Sequence, residues 1–263
     1  MNILYIGDIM ARPGIDVVAK VLPTLKKEHE IDFVVAQSEN VTNGKSMSPA
    51  DMRELQAMGI GFFTGGNHTP VNKELHAFLK DEQEPVIGPL NMPSCPGAGY
   101  KVAQTNKGNI LFVSLLGATV GRKVMIRHPL HEIDAVLGQH NLSDYSAIIV
   151  NFHGDYSSEK RIIGYYLDGQ VSAVIGDHWH VPTADAMVLP KGTAHITDVG
   201  MCGTVHSSLG VELDAVIPRW RDDKMTKNVI ATGKPDQFNA VVLSINDSTG
   251  LADAITPIQQ IIS

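Results

Sequence analysis

The chain has little cysteine: Cys95 and Cys202 are the two in 263 residues. Neither belongs to a Cys-x-x-Cys pair, so no disulfide framework is implied. Long hydrophobic runs are also missing, and no stretch approaches the length needed to span a bilayer. The first residues, Met1-Asn2-Ile3-Leu4-Tyr5-Ile6-Gly7, lack the charged segment and long apolar stretch of a signal peptide. A cytoplasmic protein with no membrane partner is expected. Basic residues are outnumbered, 21 Lys and Arg against 28 Asp and Glu, for a net charge of -7. Proteins that hold duplex nucleic acid neutralise its phosphates with clustered Lys and Arg. No such cluster exists here, which argues against that partner. A small phosphorylated ligand held through metal ions stays compatible, because the ions bring the positive charge. Phosphate-binding loops are absent too. Gly117-Ala118-Thr119-Val120-Gly121-Arg122 lacks the Gly-x-Gly-x-x-Gly spacing and reads as a strand-exit loop. Gly44-Lys45-Ser46 has no glycine five residues before Gly44.

What the chain does have is alternation. With 43% hydrophobic and 19% charged residues, it has ample material for a core, and residues 1–263 are expected to form one domain. Ile3–Ile6, Phe33–Ala36, Ile60–Phe63, Ile110–Leu116, Ala147–Val150 and Val171–Ile175 read as strands. Helical spacing links Ile15, Val18, Val21, Leu22 and Leu25, with Pro23 a kink or a break. Ser48-Pro49-Ala50-Asp51 is a helix start, with Ser as cap and Pro at the first helical position. That helix is expected to end at Gly59. Asn72–Leu79 and Ser157–Leu167 read as further helices. Strands alternating with helices imply an α/β layered fold with parallel pairing. After Asp185 the pattern turns to short β-like pieces, Ala194–Thr197 and Val241–Ile245, expected to form a second sheet packed on the first.

The chemistry gathers where the strands end. Asp8 follows the first strand, Glu39-Asn40 the second and Gly66-Asn67-His68 the third. His153 follows Ile148-Ile149-Val150, and Gly176-Asp177-His178-Trp179-His180 follows Val174-Ile175. Open parallel sheets bind ligands beyond the carboxyl ends of their strands. Alone, Asp8 reads as a turn or cap residue, Asn67 as a turn residue and His153 as a structural histidine. A Glu directly after an apolar strand must be solvated, paired or metal-bound. His178-x-His180 would place both rings on one side of an extended segment. Together these residues supply acid, amide and imidazole ligands without thiolate, a set suited to zinc, iron or manganese. Two such ions can clamp a phosphoryl oxygen and activate water, with Glu39 the candidate bridging carboxylate. His128, His131 and His140 are expected at the surface and His195 in a structural role. His206 could face the site. Trp179 is expected to point into packing.

The order Gly7-Asp8, Glu39-Asn40, Gly66-Asn67-His68, His153 and His178-x-His180 resembles the calcineurin-like metallophosphoesterases. Two features point to their YmdB-like branch. Asp8 is followed by Ile9-Met10 where the wider family has Asp-x-His, and Glu39 stands where that family has a bridging Asp. Arg12-Pro13-Gly14, Thr183-Ala184-Asp185 and Ile196-Thr197-Asp198-Val199-Gly200-Met201 are similar to that branch as well. The resemblance implies a four-layer α/β sandwich, two mixed sheets flanked by helices, with a two-metal and often di-iron site. It implies that Asp8, Glu39, Asn40 and His180 hold one metal, and Glu39, Asn67, His153 and His178 the other. It also implies that His68 is a catalytic histidine outside the ligand set, donating a proton to the leaving oxygen or stabilising phosphoryl charge. The implied reaction is hydrolysis of small phosphodiesters, 2',3'-cyclic nucleotides to 3'-monophosphates. A phosphomonoesterase or nucleotidase on the same centre is the alternative, as is a regulatory nucleotide-binding protein with weak turnover. Enzymes of this size often assemble symmetrically, and a homo-oligomer is expected.

Overall fold

A computed structural model describes residues 1–120 and 124–263. The chain begins β1 (Asn2–Ile6), β2 (Asp8–Ile9), α1 (Ala11–Glu28), β3 (Phe33–Gln37), α2 (Pro49–Ala57) and β4 (Phe62–Thr64). The short α3 (His76–Lys80) precedes β5 (Tyr100–Thr105), β6 (Gly108–Leu116), α4 (Pro129–Leu137), β7 (Ala147–His153), α5 (Ser157–Tyr166) and β8 (Ala173–Asp177). Then come β9 (Met187–Val188), β10 (Ala194–Ile196), β11 (Met201–Thr204), α6 (Leu213–Asp222), β12 (Asp236–Ile245) and β13 (Ala252–Ile262).

The strands form two mixed sheets. One runs β2-β11-β12-β1-β3-β4, with β13 also paired to β12, and the other runs β5-β6-β7-β8-β10-β9. Side chains alternate across a strand. On β1, Leu4 and Ile6 pack outward with Val18 and Leu22 of α1. Ile3 and Tyr5 point the other way, into a layer shared with Phe112, Ile149 and Ile175 of the second sheet. The outer face of that sheet, Leu111, Val113, Ile148, Val150 and Val174, packs with Ile133 of α4 and Ile163 of α5. Strands buried on both faces read as continuous apolar runs, which is why they stand out in the sequence. The result is the expected four-layer sandwich.

The partition of strands differs from the sequence expectation. The pieces after Asp185 do not make up a second sheet. Ala194–Ile196 pairs parallel with β8, and Val241–Ile245 lies in β12, antiparallel to β1. Each covers an edge that would otherwise leave backbone donors and acceptors unpaired, so the returning chain completes both sheets. Pro23 neither breaks nor ends α1, whose residues Val18, Leu22 and Leu25 are buried on both sides of it. Packing outweighs the lost backbone hydrogen bond. Ser48 caps α2 as expected, its Oγ accepting the Asp51 N–H at 3.1 Å. Gly59, at φ 101°, follows the end of that helix. The expected Asn72–Leu79 helix is divided into a 3-10 turn, Lys73–Leu75, and α3. Gly117 follows directly on β6, but Gly121 and Arg122 of the expected exit loop lie outside the described residues.

Candidate metal centre

Five strand ends from both sheets meet at one edge of the sandwich. The first sheet contributes Asp8 beyond β1, Glu39 and Asn40 beyond β3, and Asn67 and His68 beyond β4. The second contributes His153, the last residue of β7, and the segment after Asp177, the last residue of β8. Close approach is possible because Gly66 has no side chain. A Cβ there would lie 2.3 Å from Glu39 Oε2 and 2.7 Å from the His153 ring.

The two paired histidines do not sit on an extended segment. His178 has φ 100° and His180 has φ 62°, so the chain turns tightly and the rings part. They therefore do not face the same way, as alternate residues of an extended segment would: His178 turns to His153, and His180 to Asn40 and Asp8. The His178 ring packs against His153 with centroids 4.4 Å apart, and its Nε2 bonds Asp155 Oδ1 at 2.9 Å. His180 Nε2 lies 3.1 Å from Asn40 Nδ2 and 3.7 Å from Asp8 Oδ1.

Glu39, His153 and His178 form the tighter half, with one potential ligand atom from each within 4.8 Å of the others. His153 Nε2 is 3.1 Å from Glu39 Oε1, and its Nδ1 is 2.6 Å from Asp177 Oδ1. Asn67 Oδ1, from the segment after β4, is buried and has no hydrogen-bond partner among the described residues. Asp8, Asn40 and His180 form the second half. There Asn40 turns its amide nitrogen to Asp8 Oδ1 at 3.2 Å and its oxygen to His68 Nδ1 at 3.0 Å. Ligation through Asn40 requires that amide turned about, with Oδ1 facing Asp8 and His180.

Charge is the dominant feature. Asp8, Glu39, Asp177 and Asp198 are at most 1% exposed, and Lys160 is the buried lysine beside them. Burial, reinforced by Asp177, Glu39 and Asp198, holds the Asp8 carboxyl well above its usual range. Burial alone would push Glu39 up, but His153 and His68 outweigh it and bring it down to about 2. Burial alone would lower His153, but Glu39 and Asp177 outweigh it and raise that imidazole well above its usual range. The ring lies between two buried carboxylates, Glu39 and Asp177. Burial lowers His178 to about 3 and His180 to about 4, so both present neutral rings, the form that ligates metals. An excess of buried acid, neutral imidazoles and an unpaired amide oxygen fit a metal centre.

His68 differs from its neighbours. Its side chain is 33% exposed, its backbone N–H donates to Glu39 Oε2 at 2.9 Å, and Nδ1 is taken by Asn40. Nε2 remains for a ligand in the cleft that the ring helps line. Burial, opposed by Glu39, lowers its pKa.

Several residues that build the centre carried no role in the sequence reading. Asp177 bonds His153 Nδ1 and so fixes which ring nitrogen faces Glu39. It sits opposite His153 in the β7–β8 register, a buried carboxylate between an apolar run and a histidine, which was its one sequence signal. Asp155 holds His178. Lys160 donates to the Asp177 carbonyl at 2.6 Å and to Asp198 Oδ2 at 2.7 Å, and lies 4.1 Å from the Trp179 ring centroid. Trp179 therefore packs away from the ligands, as expected. His195 is buried with Nδ1 on the Val174 carbonyl at 3.0 Å, a structural role. His206 is exposed and does not line the cleft.

Two facing sheets with acids, amides and imidazoles gathered from their strand ends define a metallophosphoesterase, a phosphoric ester hydrolase whose cofactors are divalent metal ions. More particularly, the chain belongs to the YmdB-like family, whose profile, described as YmdB-like protein, matches residues 4–258. It is 35% identical over 250 residues to the 2',3'-cyclic-nucleotide 2'-phosphodiesterase of Bacillus subtilis (strain 168), spanning 95% of this chain and 93% of that protein. The crystal structure of a hypothetical protein from Thermus thermophilus is similar at TM-score 0.91 and 35% identity, covering 100% of both chains. That of a novel phosphatase from Mycoplasma pneumoniae is similar at TM-score 0.92 and 27% identity, covering 99% of this chain and 93% of the other. The family resemblance carried by the strand-end motifs is borne out.

Proposed function

We propose that this chain is a two-metal phosphodiesterase that opens 2',3'-cyclic nucleotides. Water adds to phosphorus, the bond to O2' breaks, O2' leaves with a proton, and a nucleoside 3'-monophosphate results. The observation that carries the metal centre is the grouping of Glu39, His153 and His178, with one potential ligand atom from each within 4.8 Å of the others, among buried carboxylates. The substrate class rests on the 35% identical Bacillus subtilis relative and its name.

Asp8, Glu39, Asn40 and His180 would hold one ion, and Glu39, Asn67, His153 and His178 the other. We assign iron, with manganese and zinc as alternatives that suit the same ligands. When bound, such a pair supplies positive charge to a phosphoryl oxygen and makes water acidic enough to attack near neutral pH. The chain's own residues do the rest. Glu39, as the carboxylate common to both ligand sets, would fix their spacing. Asp177 keeps a proton on His153 Nδ1, so that Nε2 faces the site. With the Asn40 amide turned about for ligation, its Nδ2 would donate to His68 Nδ1 and keep the ring proton on Nε2, which faces the cleft and can pass that proton to O2' or donate to a phosphoryl oxygen.

The test is turnover of 2',3'-cyclic AMP by protein purified without oxygen, with its metals counted and its product identified. Two ions per chain and 3'-AMP as product are expected. Two ions with no turnover would remove the substrate class and keep the centre. No ion and no turnover would remove both.

A further inference from the structure

One wall of the cleft is made from material unlike its floor. The cleft, of about 300 Å³, is lined on the floor by Glu39, Asn40, His68, His178 and His180. Its wall comes from the segment between β11 and β12, including Leu209, Val216, Trp220 and Asn228. This segment is tied to the centre, because the Leu209 carbonyl accepts a hydrogen bond from His180 Nδ1 at 3.3 Å. Its helix, α6, has no buried residue. It is anchored through Val216, which packs on the Met10, Met201 and Val211 cluster. It is also braced by Arg219, which lines the same cleft: Arg219 donates to Thr226 Oγ1 at 2.9 Å and to Asn228 Oδ1 at 2.9 Å, and Thr226 Oγ1 donates to the Ala215 carbonyl at 2.5 Å.

Trp220 lies one turn beyond Val216, on the same helix face. Val216 is seated, whereas Trp220 is 84% exposed. A large indole, fixed on a braced helix and left uncovered at the rim of a cleft floored by Glu39, Asn40 and three imidazoles, offers a flat apolar surface to a ligand whose charged end is held elsewhere. A nucleotide has that division: a phosphodiester at one end and a flat base at the other. Asn228 lines the same wall, and its amide oxygen is occupied by Arg219, which leaves its Nδ2 to donate to a base edge.

We propose that Trp220 is the base-stacking platform, with Asn228 donating to the base, and that this wall makes the enzyme prefer a cyclic nucleotide over a base-free cyclic phosphate. The proposal rests on the cyclic-nucleotide reading above. In it the floor acts on the phosphodiester, and Trp220 sets affinity without touching the reacting atoms. Stacking on an aromatic ring is sequence-tolerant, so Trp220 favours any base, and purines most by area.

The experiment compares 2',3'-cyclic AMP with methyl riboside 2',3'-cyclic phosphate on the unaltered protein, Trp220→Ala and Trp220→Phe. Trp220→Ala should raise KM for the nucleotide roughly ten-fold, the size of one base–aromatic stack, and narrow the preference between the two substrates by the same factor. Trp220→Phe should restore most of it. An unchanged preference, or equal losses on both substrates, would overturn the proposal and leave Trp220 a structural residue. Calorimetric binding of 3'-AMP against ribose 3-phosphate reads the stack independently of turnover. If the unaltered protein hydrolyses neither substrate, the activity reading fails. Weaker 3'-AMP binding by Trp220→Ala would then still uphold the platform, and equal binding would remove it.

Discussion

Asp8, Glu39 and His153 of the strand-end centre are at most 1% exposed, whereas Leu213, Ile217 and Trp220 on the adjoining helix are 44%, 50% and 84% exposed. The centre is polar and buried, and the helix beside it leaves large apolar side chains open, the reverse of how these residue types usually divide between core and surface. Each inversion has a physical requirement. A buried carboxylate persists only if something pairs with it, and an exposed indole only if its uncovered surface costs less than what it gains. The floor is fixed by strands hydrogen-bonded on both sides. The wall is held by Val216, the Arg219 fork and one carbonyl bond to His180. Substitutions in the floor should therefore act on ions and on kcat, and substitutions in the wall on KM.

The sharpest way to break that division is His68→Ala. This residue belongs to the floor but not to the proposed ligand set, so the ions should stay while kcat falls by about 10²- to 10⁴-fold. Elemental analysis beside steady-state rates checks it, and loss of an ion would make His68 a ligand instead. Asp177→Asn should come next. It keeps the shape of the side chain but weakens the hold on His153 Nδ1, and should cost about 10- to 100-fold in metal affinity. Competition with a chelator measures that, and unchanged affinity would mean that the Asp177–His153 bond serves only the fold. The smallest effect is expected on α6 at a residue outside the cleft lining. Ile217→Ser removes an exposed apolar group and should alter unfolding free energy by less than about 0.5 kcal/mol in urea titration. A much larger loss would show that another surface covers α6, and the contrast between floor and wall would then fail at that point.

The floor was legible in the sequence because its residues are of the wrong type for their positions. Glu39 after Phe33–Ala36, or His153 after Ile148-Ile149-Val150, interrupts an apolar run with a group that needs a partner, and strand ends bring such groups together. Asp177 was less legible because a buried acid beside a ligand looks like part of a turn. Its role depends on the β7–β8 register, which sequence spacing does not contain. The sheet partition failed for a related reason. β10 and β12 are chosen by open edges of β8 and β1, and those pairings join residues far apart in the chain. The turn at His178–His180 was also hidden, since two non-glycine residues at positive φ leave no compositional mark. The wall was not read at all. Leu213, Ile217 and Trp220 carry helical spacing, but periodicity cannot tell a face that is covered from one that is open.

Asp8 and Glu39 hang from one sheet, and His153 and His178 from the other. Ions held among them would act as a clasp across the seam of the sandwich as well as reagents. Since unfolding separates the four residues, occupancy and folding become linked equilibria, worth about 4 kcal/mol when free metal stands at a thousand times its dissociation constant. The melting temperature of the protein would then follow the metal supply of its surroundings, and starvation for the ion would thin the population of folded enzyme along with the active fraction.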